Sequence, residues 1–170
     1  MSAVDIAGRG LLVLVFLASA IGKLGNFGGF VAAIRQLRLV PAGWPRPVAR
    51  TVVAAEAVAA GLLLLPSSFA AAGFVLVILL CAMFAAVIEL SVRREIQVPC
   101  PCFGGSADLL NRRHLLRNAV LAAVAVLGLA GIPTGRPEFL TILISSVTAV
   151  FLAAVLIRFD DIADLLVPRR

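Results

Sequence analysis

The chain has 170 residues, 62% of them hydrophobic and 14% charged, with a mean hydropathy of +1.10; soluble domains run near half apolar and a quarter charged, so this composition excludes one. A net charge of +6 and a pI near 10.9 raise nucleic acid as a partner. The basic residues instead occupy the short segments between apolar runs, where anionic lipid and the insertion machinery read them, and nucleic acid is set aside. Three cysteines are too few for a disulfide-dense secreted scaffold.

The pattern predicts an all-α, polytopic transmembrane bundle of four to five spans, forming one unit over residues 1–170, because each span needs about 20 mostly apolar residues. The first span is expected at 4–22, ending at Lys23. Its Arg9, short apolar core and Ala18-Ser19-Ala20 also have the shape of a cleavable leader, although Asp5 beside a single arginine is atypical of one. A linker follows. Phe27, Phe30, Val31, Ile34 and Leu37 fall on one helical face, with Arg35 and Arg38 on the other. This is the pattern of a short helix in the membrane interface. Pro41, Pro45 and Pro47 are expected to break the chain, with Trp44 at the headgroup level. The remaining spans are expected at 48–65, 67–92, 108–131 and 139–157, the fourth capped by Ser106 or Asp108.

Five spans place the first linker, the segment around Cys100 and the C-terminus on one side. Thirteen of the 15 lysines and arginines then fall on that side, leaving Arg9 and Arg136 opposite. The positive-inside rule puts the cysteine side in the cytoplasm.

Cys100-Pro101-Cys102-Phe103-Gly104 lies between the third and fourth spans. Two thiols separated by one residue close only a small, strained ring, and strained disulfides are readily reduced; such a pair suits exchange rather than clamping. Pro101 limits relaxation of that ring. Arg93, Arg94, Arg112 and a following helix N-terminus favour thiolate. Cys102 stands nearer that terminus and is the expected attacking thiol. The plainer readings are turn cysteines or a Cu(I) site with His114 or Met83, neither well placed; a zinc site lacks four ligands. Cys81, in the middle of the third span, reads as packing.

A second constellation is charged. Glu56 falls near the middle of the second span, where an ionised group costs about 3 kcal/mol on insertion scales. Lys23, Glu89, Arg117 and Asn118 lie toward the cysteine side of their spans. A polar cluster of these five is expected, with Glu56 paired to Lys23 or Arg117. The plainer alternatives are an ion pair that only fixes packing, and interfacial anchors that snorkel.

Ala18-Ser19-Ala20-Ile21-Gly22-Lys23, Leu39-Val40-Pro41, Glu56, Cys100-Pro101-Cys102-Phe103-Gly104 and Arg117-Asn118 together resemble the methylamine-utilisation MauE family, a branch of the DoxX-like membrane proteins. The resemblance implies a redox-associated protein of the bacterial inner membrane. It further implies a thioredoxin-like partner outside the cytoplasm and a part in maturing a methylamine dehydrogenase-type enzyme. That location conflicts with the charge count. Cys100 and Cys102 are then expected to exchange electrons with that partner, with no resident metal. The alternatives are a non-enzymatic assembly factor, or a small carrier or quinone-binding subunit that uses the charged cluster.

Overall fold

The computed structural model describes residues 3–94, 112–131 and 139–157. All the secondary structure among them is helical: α1 (Ala3–Gly25), α2 (Phe27–Leu37), α3 (Pro45–Leu64), α4 (Ser67–Arg93), α5 (Arg112–Ala130) and α6 (Phe139–Ile157). The protein is an all-α transmembrane bundle with a short amphipathic helix after the first span. Asp5–Gly25, Pro45–Leu64 and Ser68–Arg93 are long and apolar enough to cross a bilayer, while His114–Ala130 and Ile142–Ile157 are shorter apolar helices.

Helix α1 runs past Lys23 to Gly25, and one residue, Asn26, joins it to α2. The Asn26 side chain caps α2 by accepting a hydrogen bond from the Gly29 N–H at 3.2 Å, satisfying one of the orphan donors of the first turn. With the Asn26 side chain in this position, a Cβ at residue 29 would meet it at 2.7 Å, so any other residue there would require Asn26 to shift. Phe30, Val31, Ala33 and Ile34 are buried, and Phe30, Val31 and Ile34 pack with Ala49, Val52 and Val53 of α3, whereas Arg35 and Arg38 are exposed. Arg38 ends α2 in the left-handed region, φ 51°.

One expectation needs correcting. Pro45 and Pro47 do not separate elements: Pro45 is the first residue of α3, with proline in its opening turn. Proline is tolerated there because the first N–H groups of a helix have no partner to lose. Pro66 instead stands just before α4 as its N-cap, where its carbonyl accepts from the N–H groups of Phe69 at 3.0 Å and Ala70 at 3.1 Å.

Helix α1 is the hub, packing against α3, α5 and α6, while α4 lies between α3 and α5. Small residues set the close approaches. Ser145, Ala149 and Ala153 are the buried stripe of α6, and a Cβ on Gly10 of α1 would reach that of Ala149 at 3.0 Å. Between α4 and α5, a Cβ on Gly128 would enter the Phe74 ring. Lipid is as apolar as leucine, so close packing of this kind supplies much of the helix association. Leu11, Leu12, Phe16, Leu63, Phe74 and Val77 fill the centre.

Candidate functional site: a buried lysine–glutamate centre

Lys23 is only 1% exposed, and so is Glu56. Their position follows from the antiparallel packing of α1 and α3, which brings the last turn of α1 against the middle of α3. Lys23 Nζ donates to Glu56 Oε1 at 2.6 Å and to Ser19 Oγ at 2.5 Å. Ser19 in turn donates to the same Oε1 at 3.1 Å. Ser19 and Lys23 lie four residues apart, hence on one face of α1. Two rings complete the enclosure: the Lys23 ammonium lies 5.6 Å from the Phe30 centroid and 5.1 Å from that of Phe84, within cation–π range. Four helices thus contribute, with α2 supplying Phe30 and α4 supplying Phe84.

Removing one partner of a pair this buried strands the other charge in an apolar interior, and that costs far more than the intact pair contributes. The geometry gives Glu56 its partner from α1. It also corrects the snorkelling alternative for Lys23 and Arg117, because both side chains are turned inward and buried rather than reaching for the interface.

Arg117 of α5 and Glu56 both act electrostatically on Cys81 of α4, a free, buried cysteine. The inner face of α4 therefore carries Cys81 one turn from Phe84, beside the charged centre. Asn118 is half-buried next to Arg117. Glu89 is placed differently from expectation. It is partly exposed and accepts from Arg93 Nε at 2.7 Å, an exposed pair along α4 itself, whereas its neighbour Ile88 is the residue turned inward. Cys100, Pro101, Cys102, Phe103 and Gly104 lie outside the described residues, as do Ser106 and Asp108. The chain that carries them joins the end of α4 to the start of α5.

Sequence reasoning missed Ser19, Phe30 and Phe84 as parts of this centre. The spacing of Ser19 and Lys23 was a usable signal; the two rings look like any apolar residues. A second buried pair also went unnoticed. Arg9 Nε lies 3.3 Å from Asp5 Oδ1, Arg9 donates to the Leu65 carbonyl at 3.5 Å, and its guanidinium carbon is 5.8 Å from the Phe74 centroid. This pair fastens α1 to the α3–α4 turn. Among the described residues, no group of three His, Cys, Asp or Glu side chains could hold a metal ion.

Fold and site define a class: a small polytopic helical membrane protein with a lysine–glutamate pair sealed inside the bundle. Comparison with known proteins gives the family. The model of "Methylamine utilisation protein MauE" matches residues 1–131, and the chain belongs to the MauE family. It is 35% identical over 136 residues to the methylamine utilization protein MauE of Paracoccus denitrificans, covering 78% of this chain and 72% of that one. To the protein of the same name from Paracoccus versutus it is 32% identical over 131 residues, covering 76% and 70%. No solved structure matches. The matched region contains α1 to α5 and every site residue named above.

Proposed function

We propose that this protein is a thiol–disulfide exchange component of the bacterial inner membrane, acting through Cys100 and Cys102 on a thioredoxin-like partner and serving the maturation of a methylamine dehydrogenase-type enzyme. The observation that carries the reading is a Cys-Pro-Cys pair within the part of the chain that matches the MauE family. The relatives' names tie them to methylamine utilisation, and the strained ring of a Cys-x-Cys disulfide suits transfer. Support also comes from connectivity, since the cysteine segment follows α4, which supplies Phe84 to the enclosure of Lys23, and precedes α5, whose Arg117 acts on Cys81 of α4.

In the exchange, the thiolate of Cys102 attacks a disulfide sulfur of the partner, forming a mixed disulfide and releasing one partner thiolate, which takes up a proton. Cys100, deprotonated, then attacks Cys102 of the mixed disulfide. The second partner thiolate leaves, the Cys100–Cys102 disulfide forms, and the partner departs as a dithiol. The reverse sequence restores the starting pair. Arg93, Arg94 and Arg112, adjoining in sequence, supply positive potential that favours thiolate.

The test uses the full-length protein in lipid with a thioredoxin-fold protein as partner. Cys100→Ser should accumulate the mixed disulfide on Cys102, Cys102→Ser should slow its formation, and Cys81→Ala should leave exchange unchanged. Full exchange by the Cys100→Ser, Cys102→Ser double variant would end this reading.

A further inference from the structure

Among the described residues, the hydrogen bonds that reach Glu56, from Lys23 and from Ser19, both fall on Oε1. Oε2 is buried and has no hydrogen-bond partner among the described residues. A carboxylate oxygen left unpaired in an apolar interior is costly, and buried polar atoms of this kind call for an explanation. Lys23, by contrast, is well provided for: two oxygen acceptors and the faces of two aromatic rings surround its ammonium group.

We propose that Glu56 Oε2 is a proton-binding position inside the bundle, so that the Lys23–Ser19–Glu56 centre exists in two forms that differ by one proton. In one form the pair is an ammonium and a carboxylate. In the other, a proton taken from the aqueous phase sits on Oε2, and the net charge of the pair rises from zero to plus one. No bond to Oε1 is broken by the change, because the incoming proton occupies the oxygen that has no donor. The two phenyl faces temper the uncompensated ammonium that results, since an aromatic quadrupole attracts a cation.

The groups around Glu56 are Lys23 and Ser19 from α1 and Cys81 from α4, with Arg117 of α5 acting on that thiol. Helix α2 contributes the Phe30 ring, its Arg35 being exposed, and Arg50 of α3 itself is exposed. The inference goes beyond thiol exchange and does not depend on it.

The chain has only four glutamates, which makes the test practicable. Protein labelled with carbon-13 at glutamate Cδ is placed in lipid bilayers, and the side-chain carboxyl signals are followed by solid-state NMR as the pH is changed. One signal should move between its carboxylate and carboxylic-acid positions, be absent from Glu56→Gln, and be displaced in Ser19→Ala, which assigns it independently should Glu56→Gln fail to fold. The Cys100→Ser, Cys102→Ser variant should show the same titration, so this inference and the exchange reading fail separately. A Glu56 signal that holds one position over the whole range in which the protein stays folded would overturn the proposal.

Discussion

At the residue scale, Lys23 and Glu56 are worth more as a pair than either is alone. Losing one partner from a fully buried ion pair costs about 3–5 kcal/mol, whereas replacing both with apolar side chains of similar size is often neutral. Lys23→Met and Glu56→Gln should therefore each destabilise the bundle by about that amount. The double variant Lys23→Met, Glu56→Met should lose less than either single one, as read from unfolding in detergent. Additive losses would mean that the two side chains act separately. The pair was half legible in the sequence, where a mid-span glutamate demands a cation but Lys23 and Arg117 were equally available. Ser19 and the two rings were not legible, because a contact between helices depends on their rotation about their own axes. The same reason moved Glu89 out of the cluster. It is at the right end of α4, but successive residues are turned by about 100°, and Ile88 takes the inward direction.

At the scale of the elements, packing rests on positions where a side chain would not fit. Gly128 of α5 carries the clearest case, with the Phe74 ring where its Cβ would be. Gly128→Ala should cost about 1–3 kcal/mol through overpacking, and Phe74→Leu in the same chain should recover part of that loss. Thermal unfolding of the two variants checks this; an unchanged midpoint in Gly128→Ala would contradict the close α4–α5 contact. Helix α2 offers a milder test. Asn26→Ala removes its cap and should cost about 1 kcal/mol, seen as faster amide exchange over Phe27–Leu37 than over α3. The amphipathic pattern of α2 was plain in the sequence, with four apolar residues buried and the arginines outside. The start of α3 was not, because proline reads equally as a breaker and as a first-turn residue until the chain direction on either side is known.

At the scale of the whole molecule, the apolar runs announced a helical bundle, since no soluble core needs stretches of that length. What they did not contain is which helices are neighbours. Helix α6 packs chiefly on α1, far away in sequence, and the stripe that places it, Ser145, Ala149 and Ala153, is made of residues too small to stand out in an alanine-rich chain. Orientation belongs to this scale too. A five-span topology would put thirteen of the 15 basic residues of the sequence on the cysteine side, and the positive-inside rule then predicts that this side faces the cytoplasm. A membrane-impermeant maleimide should then label Cys100 and Cys102 only after permeabilisation. Labelling on intact cells would put exchange on the outer side, where the family resemblance places it.

The central claim, that Cys100 and Cys102 form a working redox couple, is tested most directly by their thiol state in native membranes. Mass-tagging of free thiols across a series of redox buffers should show both cysteines switching together and reversibly, with the balance shifting when a reduced thioredoxin-like protein is added. Two cysteines that stay fully taggable in every buffer would contradict the account.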